Sequence, residues 1–268
     1  MTINKKALLL FWHGVGDAIT LTPSIRFLFN QGYSCDIVCR QGLHDSKLFD
    51  YCDKITTIPV SAKFGGKGEL GPETSPSTNG ERGIKARAKF KEVFRKLSNS
   101  YDKCFDFSRS PQKVKGGKIN RSLKIVGGDF RDSLLNLFIP PKAEDIALSY
   151  IETHYPDGYI FRHTKPGAHG SHDWREADNW ILDNLPSIPQ FNTGRKEKHA
   201  FMWDDINVSF VMAREAKYRV LSSSVFVHAC DAMNVTMDAV YYGVPNPHGL
   251  PLDLRKIKSI FGEHAPEK

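Results

Sequence analysis

The longest run of consecutive apolar residues, Ala7 to Trp12, leads into a stretch where Ile19, Ile25, Leu28 and Phe29 recur on or near one helical face. An unbroken apolar run of that length reads as a buried strand, here Leu8 to Trp12, and the 3.6-residue period reads as a helix, here Ala18 to Phe29. Cys35 to Cys39 gives a second strand, Leu43 to Tyr51 a helix, and Lys54 to Val60 a third strand. Strand, helix, strand, helix, strand is the rhythm of a parallel α/β sheet.

The cluster GGKGELGPETSPSTNG (65–80) carries the turn formers Gly, Pro, Ser and Asn, and is expected to form a mobile loop. Ile84, Ala88, Val93, Phe94 and Leu97 then predict a helix whose outer face is heavily basic. Tyr101 to Phe107 reads as a strand and Ser108 to Lys124 as a second flexible basic loop. In FIPPK (138–142) two prolines break both helix and strand, which makes this the expected domain boundary. The alternation then restarts: strands at Gly158 to Arg162, Ile188 to Asn192, Tyr218 to Leu221 and Met237 to Tyr242, and helices at Asp173 to Leu185, Asp204 to Ala216 and Ser224 to Met233. The expected architecture is two α/β halves, 1–138 and 143–268.

Composition agrees with a globular chain: 268 residues, 40% hydrophobic and 25% charged. The longest apolar run is far short of the roughly 20 residues that cross a bilayer, so a cytoplasmic protein is expected. Five cysteines (Cys35, Cys39, Cys52, Cys104, Cys230) form no CxxC pair, so neither zinc nor a disulfide framework is suggested, and they read as buried thiols. The net charge of +7 is concentrated: between Val60 and Ile125 sixteen Lys and Arg face six acids, leaving the remainder slightly negative.

Two stretches carry chemistry. In FWHGVGDAIT (11–20) a GxGD turn joins strand to helix, where glycine lets backbone approach a ligand. It is not a dinucleotide fingerprint, because position 19 is Ile19, and it lacks the GKS or GKT of a phosphate loop. Asp17 is open to two readings: N-cap of the following helix, or a carboxylate at the strand's carboxyl end acting as general base. In VLSSSVFVHACDAMNVTMDAVYYGVPNP (220–247) a strand ends in Ser222, Ser223 and Ser224 before a helix whose N-terminal amides suit a diphosphate. The serines are equally readable as caps, and His228 as a packed histidine.

Taken together the stretches are more specific. GVGDAITLTPSIRFL resembles the amino-terminal signature of the heptosyltransferase-like glycosyltransferases of family 9. SSSVFVHACDAMNVTMDAVYYGVPNP is similar to that family's carboxyl-terminal donor motif, and FRHTKPGAHGSHDWREADNWIL (161–182) to its strand, glycine-bearing loop and Trp-containing helix. The chain thus resembles a divergent and short member of this family, about half of it being covered. The resemblance implies a GT-B fold, two Rossmann-like domains with a cleft between them, and an inverting hexosyl, pentosyl or heptosyl transfer with no metal and no cofactor beyond the nucleotide-diphosphate sugar. It makes Asp17 the base on the acceptor hydroxyl, with His13, Gly14 and Gly16 in the acceptor loop. Donor contacts fall to Ser222, Ser223, Ser224, His228, Thr164, Lys165 and His172. The sequence departs from the family pattern at Ser223 and Val225, where an acid and a glycine are expected, and at His172, which stands for a basic residue before Trp174.

The basic region points to a polyanionic acceptor held by Lys85, Arg87, Lys89, Arg109, Lys113 and Lys115. The phosphorylated core of lipopolysaccharide is one polyanion, and a hydroxymethylated base in DNA, as in phage-type DNA modification, is the other. The expectation here favours DNA, because the loops distribute Lys and Arg among Ser, Asn and Gly, and the basic helix lacks the Trp and Leu-rich face of a membrane binder. A non-catalytic nucleic-acid-binding module on a degenerate transferase fold is the reading from another class. A dehydrogenase is disfavoured, since Asp36 comes too early in the second strand for a ribose-binding acid and Arg40 occupies its tip.

Overall fold

The computed structural model describes residues 5–62, 76, 80–108, 117–129, 134–163, 175–193, 205–242 and 256–262. The chain divides into two compact units, Met1–Phe138 and Ile139–Lys268.

The first unit runs β1 (Lys5–Leu10), α1 (Val15–Asn30), β2 (Tyr33–Arg40), α2 (Gln41–Asp45), β3 (Ile55–Val60), α3 (Glu81–Ser98), β4 (Lys103–Asp106) and α4 (Gly117–Val126). Its four strands are parallel in the order β3-β2-β1-β4. Central β1 buries Ala7 to Leu10 completely, as a middle strand covered on both faces must. Pro59 sits in β3, at the sheet edge, where a missing N–H is tolerated. On one face Leu8, Leu10, Trp12, Val38 and Val60 pack with Ala86 and Phe90 of α3.

α1 begins at Val15, three residues before the expected start, because Gly14 is the N-cap and Ala18 N–H donates to the Gly14 carbonyl at 3.0 Å. Within α1, Pro23 has no N–H for the Ile19 carbonyl, its partner four residues back. The Thr22 hydroxyl supplies one at 2.8 Å, and itself accepts from Asn136 N–H at 2.9 Å. The Thr-Pro pair therefore keeps the helix continuous and ties the residues before the second unit to it.

Four expectations are corrected in this unit. α2 ends at Asp45 and does not run to Tyr51, since Lys47 takes a positive φ of 55°. The basic helix is present as α3, but its inward face is Gly83, Ala86 and Phe90, continued by Val93, Phe94 and Leu97; Ile84 is 59% exposed and Ala88 is exposed. Ile84 lies two positions before Ala86, hence across the helix from it. Residues 117–124, expected as loop, belong to α4, where Ile119 and Leu123 are buried one turn apart and the helix packs against α1. All five cysteines are free, but Cys104 is exposed and Cys52 half-buried, Cys104 because β4 is the open edge of the sheet.

The second unit runs α5 (Pro141–His154), β5 (Ile160–His163), α6 (Arg175–Asn184), β6 (Gln190–Asn192), α7 (Ile206–Glu215), β7 (Tyr218–Ser222), α8 (Val225–Ala232), β8 (Met237–Tyr241) and β9 (Ile257–Phe261). Helix α5 and strand β9 lay outside the elements expected from periodicity. Pro140 is the N-cap of α5 and Pro141 its first residue, so the prolines that end one unit also open the next helix. The five strands are parallel in the order β6-β5-β7-β8-β9. Ile160, Val220, Ala239 and Tyr241 pack with Ala177, Ile181 and Leu185. Gly262 closes the sheet at φ +105°, where a Cβ would lie 2.5 Å from the Tyr242 carbonyl oxygen, so no other residue fits. No helix among the described residues is long and apolar enough to cross a membrane.

Candidate functional site

In an open parallel sheet, ligands bind beyond the carboxyl ends of the strands at the point where the connections change direction. In the first unit the chain steps from β1 outward to β2 and β3, then returns to β4 on the other side of β1. The switch point is therefore between β1 and β4. In the second unit it is between β5 and β7, because β6 lies on one side of β5 and β7 on the other.

At the first switch point the two strands stay joined past their ends: Phe107 N–H donates to the Leu10 carbonyl at 2.9 Å. His13, half-buried, reaches the Phe107 carbonyl from Nε2 at 3.1 Å, which requires the proton on Nε2. Its ring lies 5.5 Å from that of Phe11, edge-on. Gly14 follows, then the first turn of α1, which holds Gly16 and the half-buried Asp17. Asp17 is thus not the N-cap but the third residue of the helix, and Thr20 Oγ donates to its backbone carbonyl at 2.8 Å. Gly14 has an ordinary φ of −76°, and a Cβ there would meet nothing within 4 Å. Turn geometry therefore does not demand glycine at 14, and the space above it is open. Across the switch point stands Ser108, 8% exposed, whose hydroxyl has no hydrogen-bond partner among the described residues.

At the second switch point β5 ends in His163 and β7 in Ser222, with His163 in register with Leu221. Ser223 N–H donates to the Tyr241 carbonyl at 3.1 Å. Ser224 is the N-cap of α8, yet its hydroxyl caps nothing: Oγ lies 3.0 Å from His163 Nδ1. His163 is 7% exposed with its ring 4.7 Å from Phe226, and burial pushes its pKa down to about 4. It is a neutral hydrogen-bonding group at neutral pH and contributes no positive charge. Ser222 is 4% exposed and its hydroxyl, too, has no partner among the described residues. His228 is buried one turn into α8.

The structure therefore brings His13, Gly14, Gly16 and Asp17 to one switch point, and Ser222, Ser223 and Ser224 to the other, with His228 further along α8. Thr164, Lys165, His172, Arg109, Lys113 and Lys115 lie outside the described residues. Of the basic residues on α3, Lys85 pairs with Glu81 at 2.6 Å on the surface, Arg87 donates to the Pro76 carbonyl at 2.6 Å, and Lys89 to the Ser61 carbonyl at 2.5 Å. Arg87 and Lys89 thus hold neighbouring backbone to the helix. Sequence reasoning missed His163 and Ser108. Each is a polar residue at or just beyond the carboxyl end of a strand, which was the available signal. Asp36 lies inside β2 and accepts from Tyr101 Oη at 2.5 Å, which occupies the only acid that a dinucleotide reading could have used there.

Similar architecture occurs in solved structures. The family 9 glycosyltransferase of Veillonella parvula matches at a TM-score of 0.66 and 12% identity, over 99% of this chain and 89% of its own. The fold is that of the family 9, GT-B glycosyltransferases. The E. coli heptosyltransferase WaaC, in its structure with ADP, matches at 0.55 and 13% identity, over 96% and 90%. The dodecameric, iron-containing glycosyltransferase TibC of enterotoxigenic E. coli matches at 0.54 and 10%, over 98% of this chain and 64% of its own. No protein-family model and no curated protein sequence matches the chain. At these identities the likeness is one of fold, and chemistry has to be argued from the two switch points.

Proposed function

We propose that the protein is an inverting glycosyltransferase that moves a sugar from a nucleotide-diphosphate sugar to a hydroxyl of an anionic acceptor. The observation that carries this reading is that each sheet presents a different half of the required chemistry at its own switch point: a carboxylate, Asp17, in the first unit, and a helix N-terminus flanked by Ser222, Ser223 and Ser224 in the second.

The reaction needs two things from the protein, a base and a site for the departing charge. Asp17 takes the proton from the acceptor hydroxyl as its oxygen attacks the anomeric carbon. The bond from that carbon to the diphosphate breaks on the opposite face of the sugar, and the α8 N-terminus receives the departing negative charge. General-base assistance of this kind is worth about 10²- to 10⁴-fold. Lys165, Thr164 and His172 are further candidates for the donor, and Lys85, Arg109, Lys113 and Lys115 for the acceptor. The first unit is assigned the acceptor and the second the nucleotide sugar.

ADP is the first nucleotide to try, because WaaC is a structural relative described with it. For the acceptor, the phosphorylated lipopolysaccharide core fits these relatives at least as well as DNA. The preference for DNA rested in part on two basic loops, and residues 117–124 of the second are an amphipathic helix packed on α1. The deciding experiment offers the purified protein a panel of nucleotide sugars with truncated lipopolysaccharide core in one arm and hydroxymethylated DNA in the other, read by intact mass. Sugar on the core makes it a heptosyltransferase-type enzyme, and sugar on DNA a base-modifying one. Nucleotide binding with no transfer to either would leave a binding module on a transferase fold.

A further inference from the structure

An N-cap serine normally turns its hydroxyl onto the amide of the second or third helical residue. Ser224 has the extended backbone of an N-cap, φ −148° and ψ −174°, and Val227 N–H bonds its carbonyl at 3.2 Å, but the hydroxyl is turned away to His163 Nδ1. The helix start is therefore left without its side-chain cap, and the residue responsible lies 61 positions earlier, at the tip of another strand.

We propose that His163 is a positioning residue for the donor: by holding the Ser224 hydroxyl it keeps the side-chain cap off the start of α8 and leaves the Val225 and Phe226 amides to the donor's diphosphate. The inference rests on the donor reading of this site. The geometry makes the histidine effective in this role. Its ring is packed against Phe226 and fixed at the end of β5, whose register with β7 sets its distance from Ser224. Being buried and uncharged, it offers the serine a hydrogen bond without offering the diphosphate a competing or supporting charge. Ser222, 4% exposed and with no partner for its hydroxyl among the described residues, ends the strand just before this helix start.

The test is a double-mutant cycle on ADP, GDP and UDP binding by titration calorimetry, with urea unfolding of each variant. His163→Phe keeps a ring against Phe226 and removes the hydrogen bond, so Ser224 returns to capping. Nucleotide Kd should rise roughly fivefold or more, the worth of an N-cap hydrogen bond, while the urea midpoint does not fall. His163→Asn, which places an amide near the Nδ1 position, should restore most of the affinity. Added to Ser224→Ala, His163→Phe should change Kd less than twofold, because no cap remains to swing back. If His163→Phe does not fold, His163→Leu carries the same comparison. Equal losses of affinity and stability, or additive effects in the cycle, would overturn the proposal by making His163 a packing residue. Wild-type protein that binds none of the three nucleotides would instead overturn the donor reading, and the proposal with it. Wild-type binding that His163→Phe leaves unchanged would sink the proposal alone.

Discussion

The Thr22 hydroxyl donates to the Ile19 carbonyl at 2.8 Å, filling the vacancy that Pro23 creates one turn into α1. Because the same oxygen accepts from Asn136 N–H, one side chain closes two backbone groups that would otherwise be left unsatisfied in a buried setting. Leaving such groups unpaired costs about 1–3 kcal/mol. Thr22→Val, which keeps the shape and removes the hydroxyl, is expected to lower stability by about that amount in urea unfolding, and Thr22→Ser to recover most of it.

Asp17 tests the proposed chemistry. The N-cap is Gly14, so removing the Asp17 carboxylate does not uncap α1. A carboxylate in the first turn gains about 0.3–1 kcal/mol from the helix dipole, which is one part of the expected loss of stability in Asp17→Asn. Turnover should fall far more, about 10²-fold or beyond, with nucleotide Kd unchanged. The check is kcat by intact mass beside calorimetric Kd and a urea midpoint. A fall in stability large enough to account for the lost activity would return Asp17 to a structural role.

The strand and helix rhythm of both units was legible because parallel sheets bury their middle strands on both faces, and β1, β2, β7 and β8 are correspondingly rich in apolar residues. Helix α4 was hidden because the buried Ile119 and Leu123 are spaced in sequence among Lys118, Arg121 and Lys124, so composition read as loop. Helix α5 was hidden because its first residue is the second of a Pro pair, which signals a stop as readily as a start. Asp17 and the serines could be found locally, since each follows a strand. The His163 to Ser224 contact could not, since it depends on β5 and β7 being neighbours, which only the sheet order decides. The basic residues show the converse limit: charge was visible in sequence, but not that Arg87 and Lys89 are engaged with backbone carbonyls.

Burial of His163 makes a prediction about acid. Its pKa falls from the ordinary 6.5 to about 4, so between those values the unfolded chain holds a proton that the folded chain lacks. Acid therefore favours unfolding: this contribution to stability is complete above about pH 6.5 and is lost as pH falls toward 4. The full loss is on the order of 3 kcal/mol by linkage. Urea midpoints measured from pH 7 to 4 should fall through this window in the wild type, and His163→Asn, which does not titrate, should flatten that part of the curve. A wild-type midpoint already flat across the window would mean that the ring is more open than its 7% exposure indicates.

The surface of α3 separates binding charges from structural ones. Lys85 and Arg95 are exposed, and Lys85 pairs with Glu81, one turn away, an exposed pair that contributes little to stability. Lys85→Gln with Arg95→Gln should therefore leave the urea midpoint within about 0.5 kcal/mol of the wild type while weakening a polyanionic acceptor and its salt dependence. On DNA the slope of log affinity against log salt should drop by about 0.9 for each phosphate contact removed. Arg87→Gln and Lys89→Gln should instead lower stability, because they release the Pro76 and Ser61 carbonyls from the helix. Equal effects of the two pairs on salt dependence, with no difference in stability, would show that all four act as surface charge and that the carbonyl contacts hold nothing.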